Sequence, residues 1–193
     1  RVLLVGPDFE ANLSLLYLAA SLRAAGHEPA IAPFNCREDA EAVLRAARGA
    51  DLVGLSMCFQ VRALEFLSLA DALKREAPGR PVIAGGHHAS CAAAELLEHH
   101  PSLDVVVLHE GEDTLVALAN LGDDLVARAG EGPGVTVRRD GRAVRRRWRG
   151  VFRRWPAGCN HRAFYARSAP DGSGSVGGPC ARSFGVGRRA SGV

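Results

Sequence analysis

Five short apolar runs, each followed by apolar residues at helical spacing, govern what this chain can fold into. Val2-Leu3-Leu4-Val5 stops at Gly6-Pro7, and Leu15, Leu18, Ala19 and Leu22 then recur on one helical face up to Gly26. A second run, Glu28 to Ala32, is closed by Pro33, and Ala40, Val43, Leu44 and Ala47 form the next stripe, ended at Gly49. The third run, Asp51 to Ser56, precedes a helix with Ala63, Phe66, Leu67 and Ala70 on its buried face. Pro78-Gly79 turns the chain into Val82–Ala84, after which Ala89 to His99 reads as a helix rich in alanine and leucine. Leu103–Leu108, almost wholly apolar, leads into a helix from Glu112 to Leu121 that continues or re-forms towards Ala127.

Runs that are apolar throughout belong to strands buried on both faces. Their alternation with helices requires a parallel sheet joined by right-handed crossovers. The expectation is an α/β, flavodoxin-like (Rossmann-like) three-layer sandwich around a five-stranded parallel sheet of order 2-1-3-4-5.

Beyond Gly130 this rhythm stops. Val135 to Val144 reads as a β-hairpin with Asp140-Gly141 as its turn, and from Arg145 onward there is no apolar period. The expected division is therefore an α/β domain over residues 1–130, a hairpin or linker over 131–147, and an irregular basic tail over 148–193. A net charge of +3 is mild for the whole chain, and no fold is evident to present the arginines clustered from Arg138 to Arg154, so nucleic acid is not an expected partner. Five cysteines without paired spacing make neither a disulfide framework nor a zinc site. No leader and no apolar stretch of bilayer length is present, so a cytoplasmic protein without a membrane partner is expected. The start at Arg1, without methionine, fits a trimmed chain.

On that topology the loops Gly6–Ser14, Ser56–Gln60, Gly85–Ser90 and His109–Asp113 share the carboxyl edge of the sheet, where ligands of such folds bind. The most informative is Pro81-Val82-Ile83-Ala84-Gly85-Gly86-His87-His88-Ala89-Ser90, an apolar run ending in two glycines and a polar helix start. A dinucleotide would need Gly-x-Gly-x-x-Gly after the first strand, where this chain has Gly6-Pro7-Asp8-Phe9-Glu10-Ala11. A phosphate loop needs Gly-Lys-Ser/Thr, and the sole lysine, Lys74, lies mid-helix. A phosphoacceptor receiver needs an aspartate after the third strand and a lysine after the fifth, positions held by Ser56 and His109.

The residues Val5-Gly6-Pro7 with Asn12-Leu13, Gly54-Leu55-Ser56, Ala84-Gly85-Gly86-His87-His88-Ala89 and Glu110-Gly111-Glu112, in that order, resemble the cobalamin-binding domain that precedes the barrel of radical S-adenosylmethionine enzymes. Ala24-Ala25-Gly26-His27-Glu28 after the first helix is similar too, and the resemblance spans about two-thirds of the chain. It implies a corrin over the carboxyl ends of the strands, with the nucleotide tail running between sheet and helices. The site it implies comprises Gly6, Pro7, Asp8, Asn12, Leu13, Ser56, Met57, Gly85, Gly86, His87, His88, Glu110, Gly111 and Glu112. Gly85 and Gly86 would let the tail approach the backbone, and Ser56 would hydrogen-bond the base or phosphate. The bland alternatives are an ordinary Gly-Gly turn and a serine cap, and Glu112 suits a helix start by charge alone.

Two departures shape the expectation. The better-known cobalamin domains carry Asp-x-His-x-x-Gly after the first strand, whereas this chain offers Asp8-x-Glu10-x-x-Leu13. The cobalt's lower face would then lack a histidine, which suits methyl transfer, with His87 and His88 opening a helix or touching the tail instead. The iron–sulfur motif Cys-x-x-x-Cys-x-x-Cys is absent, since Phe184 and Gly187 occupy the places that follow Cys180. No complete catalytic site is expected here; an iron–sulfur cluster and S-adenosylmethionine belong to a missing barrel, in cis in a full-length relative. The loss of pattern after about Arg147 fits truncation or a frame shift. Two other readings stay open: the amino-terminal half of a two-domain glycosyltransferase, and an interaction module without cofactor.

Overall fold

Parallel neighbours cannot be joined by a tight turn, so each strand must be followed by a crossover long enough to return the chain to the same end of the sheet. The computed structural model, which describes residues 1–8 and 12–146, shows how the apolar runs meet that demand. The strands are β1 (Val2–Gly6), β2 (Pro29–Pro33), β3 (Leu52–Ser56), β4 (Val82–Gly85) and β5 (Val105–Val107). Between them run α1 (Leu13–Ala24), α2 (Ala40–Ala47), α3 (Ala63–Glu76), α4 (His87–Cys91) and α5 (Ala93–His99). After β5 come α6 (Glu112–Ala119), α7 (Leu125–Arg128), β6 (Val135–Arg139) and β7 (Arg142–Arg146). The tail from residue 148 lies outside the described residues.

The sheet order is β2-β1-β3-β4-β5-β6-β7, so the expected α/β class and the order of the five parallel strands hold. The strand count does not: the sheet has seven strands and is mixed, because β6 pairs antiparallel with β5 and β7 antiparallel with β6. The physical reason lies at β5. A three-residue strand left at the edge would expose a row of unpaired N–H and C=O groups, and Val135, Thr136 and Val137 lie against Val107, Val106 and Val105 to cover it. The turn is the expected Asp140-Gly141, both residues at positive φ (51° and 74°) as a two-residue hairpin of the primed type requires. At the opposite edge β2 begins and ends in proline, tolerated because an edge strand has N–H positions that pair with nothing.

Period-two alternation divides the core between the two sheet faces. Leu4, Leu52 and Ile83 pack with Leu15 and Ala19 of α1 and Leu115 and Leu118 of α6. Val5, Leu55 and Ala84 pack on the other face with Phe66 and Leu73 of α3 and Leu97 of α5. Two helices are shorter than their apolar stripes suggest. The fourth is interrupted at Ala92, which links α4 to α5 with φ −100° and ψ 16°. The fifth ends at Ala119, with Gly122 at φ 54° beyond it, and the chain re-forms as α7, as expected.

Polar side chains tie the periphery down. Arg62 stacks over the rings of Phe34 and Phe66, 5.3 Å from each centroid, donates to the Phe34 carbonyl at 2.8 Å and pairs with Glu65 at 2.7 Å. At the amino end of the sheet the Asp104 carboxylate accepts from Lys74 and from the Val82 N–H, both at 2.7 Å. Arg138 of β6 donates to the carbonyls of Leu97 (2.7 Å), His100 (2.9 Å) and Leu103 (3.1 Å), bridging the end of α5 and its following turn, where the His100 oxygen also accepts the Leu103 N–H at 3.1 Å. Arg138→Ala should therefore cost about 1–3 kcal/mol in urea unfolding, with Arg138→Lys recovering only part because one ammonium cannot fan across three oxygens. An unchanged midpoint in Arg138→Ala would show that the hairpin is not clamped through this side chain.

Candidate functional site

The alternation that buries Leu52 and Ile83 under α1 and α6 also puts Gly54, Ser56 and Gly85 on that face, near the carboxyl ends of β3 and β4. Ser56 and Gly85 are register partners. The glycines differ in what the protein asks of them. A Cβ on Gly6 would stand 2.9 Å from the Ser56 Cβ and 3.1 Å from the Leu15 Cδ1, so Gly6 is held by internal crowding. One on Gly54 would meet the Leu4 Cδ2 at 3.2 Å. One on Gly85 would meet nothing nearer than the Val107 carbonyl oxygen at 3.9 Å, so internal packing does not require a glycine there. Half-buried Gly85 thus leaves backbone bare on a central strand, beside a half-buried Ser56 whose hydroxyl contacts the Cys58 thiol at 3.4 Å.

Gly86 is a different case. Its φ of 100° is left-handed, and a Cβ would lie 3.0 Å from the carbonyl carbon and oxygen of Met57 and 3.1 Å from the Cys58 Sγ. The turn after β4 is pressed against β3, which explains this glycine without a ligand. Met57 is fully buried on the opposite face, and only its backbone faces the turn: its N–H donates to the Gly85 carbonyl (2.7 Å) and its carbonyl accepts from Ala89 (3.3 Å). His87, exposed, and His88, half-buried, open α4 as expected.

Amide side chains tie down the described ends of the loop after β1. Asn12 caps α1, accepting from the Leu15 N–H at 3.3 Å, and donates to the Pro7 carbonyl at 2.8 Å. The Asp8 N–H donates to the Asn35 Oδ1 at 2.9 Å, and the Asn35 amide returns a bond to the Asp8 carboxylate at 2.5 Å. The N–H groups of Asn35 and Cys36 in turn donate to Asp39 at 2.7 and 3.1 Å, and these donors hold the Asp39 carboxyl below its ordinary value. Glu10, of the Asp8-x-Glu10-x-x-Leu13 comparison, lies outside the described residues. Leu13 is 61% exposed, and Leu16, Tyr17, Phe59, Val61 and Leu64 are exposed with it, at the start of α1 and after β3.

After β5, His109 adopts φ 61°, donates its N–H to the Ser90 Oγ at 3.0 Å, and has its Nε2 3.4 Å from Arg145 of β7. Glu110 is exposed, Gly111 lies close to Val107 and Leu18, and Glu112 begins α6, where its charge complements the helix dipole. The described residues of the four expected loops lie at one edge of the sheet. Sequence reasoning missed Asn35, Ser90 and the apolar rim of Phe59, Val61 and Leu64. Ser90 and Phe59 sat inside named loops, but nothing in their spacing singled them out. Two cavities, of about 410 Å³ beside Leu118 and Val135 and about 960 Å³ at the amino end near Arg80, include none of the expected site residues. Among the described residues no group of three or more His, Cys, Asp or Glu side chains could hold a metal ion, and no helix is long and apolar enough to cross a membrane.

Comparison with known proteins adds a family. Residues 3–119 match the model of the B12 binding domain. A hopanoid C-3 methylase of Methylococcus capsulatus is 31% identical over 132 residues, which cover 63% of this chain and 26% of that protein. The chain thus spans about a quarter of the length of the curated relative it matches. Among solved structures, the receiver domain of the Francisella response regulator 1452 superimposes with a TM-score of 0.48 at 15% identity, covering 66% of this chain and 97% of that one. NtrX from Brucella abortus gives 0.49 at 24% identity, covering 67% and 28%. Neither carries weight for function.

Two outcomes follow from the loop geometry. Gly86→Ala should destabilise the protein by about 1–3 kcal/mol in urea unfolding, from strain at φ 100° and the contact with Met57, while Gly85→Ala should stay within about 1 kcal/mol. Equal losses would contradict the distinction drawn between them. A carboxyl held low stabilises the fold above its unfolded-state value, about 3.9 for aspartate, and that contribution is lost as pH falls through the lowered folded value. Amide signals of Asn35 and Cys36 should accordingly shift below about pH 4 in the wild type and stay put in Asp39→Asn.

Proposed function

The chain belongs to the B12-binding domain family, and from that premise we propose that it holds cobalamin at the carboxyl edge of its parallel strands, as one module of a larger enzyme. The observation that carries the reading is Gly85: a central strand ends in half-buried backbone where a Cβ would meet nothing nearer than 3.9 Å, so no internal packing requires a glycine there. A nucleotide tail laid along this face would meet peptide groups at Gly85 and the hydroxyl of half-buried Ser56. A side chain at position 85 would stand in its way. Gly6 and Gly111 let the neighbouring loops pack closely against Ser56 with Leu15 and against Val107 with Leu18, and Asn12 with Asn35 fixes the Pro7–Asp8 wall. Gly86 and the Met57 backbone shape the turn from behind, while His87 and His88 open the neighbouring helix and Glu110 and Glu112 bound the crevice on the β5 side.

The exposed Leu13, Leu16, Tyr17, Phe59, Val61 and Leu64 suit a broad, largely apolar ring face resting on the rim. When bound, cobalamin supplies a cobalt centre able to carry a methyl group; the residues of this chain hold and orient it. Glu10 stands at the position after Asp8 where other cobalamin domains carry a cobalt-ligating histidine, so a bound cofactor would take no histidine from that place. The name of the methylase relative supports methyl transfer as the parent reaction. The remaining length of that relative supports a further domain in cis, which we take to be a radical S-adenosylmethionine barrel carrying the iron–sulfur cluster. Family membership replaces the glycosyltransferase reading.

Purified protein mixed with hydroxocobalamin and desalted should retain corrin absorbance at the base-off position. Gly85→Val should lose that retention while unfolding like the wild type. A colourless wild-type protein would favour the cofactor-free module, and full retention by Gly85→Val would remove Gly85 from the site.

A further inference from the structure

Three loops at the carboxyl edge are joined in series by bonds between them. Met57, after β3, donates to the Gly85 carbonyl and accepts from Ala89, which ties the first loop to the second. Ser90, in the same turn of α4, donates its own N–H to Gly86 (2.9 Å) and takes the His109 N–H on its hydroxyl (3.0 Å), which ties the second loop to the third. The third loop is braced from the hairpin side, where the Leu108 N–H meets the Gly134 carbonyl at 2.8 Å and Arg145 approaches the His109 ring.

Of these links, only the one through Ser90 uses a side chain to bond a neighbouring loop's backbone, and it acts where backbone geometry is least favourable. His109 has φ 61°, a conformation that non-glycine residues adopt at a cost unless their surroundings hold them. The turn it makes decides where Glu110, Gly111 and the start of α6 stand relative to Gly85. Gly111 is already close to Leu18 and Val107, so the loop cannot slide without disturbing α1 or β5.

We infer that Ser90 is a positioning residue of the ligand crevice: by accepting the His109 amide proton it holds the 109–111 loop in its left-handed turn and so sets the β5-side wall of the site. The inference rests on the cobalamin reading for its ligand, but the latch itself is a property of the protein alone. Ser90 sits on a short helix next to the Gly85–Gly86 turn, so one hydroxyl couples the backbone beneath the ligand to the loop beside it.

The test uses the full chain as wild type, Ser90→Ala and Ser90→Thr, with three measurements. Amide hydrogen exchange at residues 109–111 is followed without corrin, the hydroxocobalamin Kd is obtained by visible titration, and the thermal midpoint is recorded. Ser90→Ala should exchange faster at 109–111 and bind about threefold to tenfold more weakly, as expected for one hydrogen bond, with its midpoint close to the wild type. Ser90→Thr, which keeps the hydroxyl, should restore both. Unchanged exchange in Ser90→Ala would overturn the latch. Faster exchange with unchanged Kd would overturn the positioning role while leaving the cobalamin reading intact. A large fall in midpoint that Ser90→Thr does not reverse would reduce Ser90 to a packing residue. A wild-type protein that takes up no corrin would overturn the cobalamin reading and this inference together, whatever the exchange shows.

Discussion

The geometry of the whole carboxyl edge depends on one close approach: the turn after β4 lies directly against the backbone of Met57. β4 is only four residues long and sits in the middle of the sheet, so the chain leaving it must reverse into α4 without room to spare. Only a residue free of Cβ can pass Met57 at φ 100°. Once that turn is fixed, Gly85 is left half-buried on one face, Ala89 and Ser90 are placed for their bonds, and the loop after β5 has a partner. The contact is made of backbone, and it lets the side chains around it serve other ends.

The parallel part of the fold could be read from the chain because its strands are apolar throughout and its helices carry clear stripes. What escaped was governed by tertiary context. Val135, Thr136 and Val137 look like any hairpin strand, and nothing local says that they complete the sheet beyond a three-residue β5. Arg138 reads as one arginine in a basic run, although its guanidinium is spent on three carbonyls of a different segment.

The site was legible in outline and less so in its roles. The pair Gly85-Gly86 marks a strand end at the carboxyl edge from sequence, but the letters are the same for a glycine pressed against its own fold and one that its own fold leaves room around. Only the surroundings separate them. Asn35 could not be found by pattern, since it acts from the loop after β2 on a residue 27 positions away. Ser90 was hidden for the same reason: a serine in the first turns of a helix ordinarily serves that helix, and here it serves the loop after the next strand.

Both borders of the sheet are closed to extension, one by Pro29 and Pro33 in β2 and the other by Arg142 and Arg146 on β7. A second copy or a foreign strand seeking backbone pairing meets missing N–H groups on one side and clustered positive charge on the other. Growth by strand addition, the route to swapped dimers and fibres, is thereby discouraged at each end. Association with another folded body is left to side-chain surfaces, and the apolar rim from Leu13 to Leu64 at the carboxyl edge is where large hydrophobic groups are already uncovered.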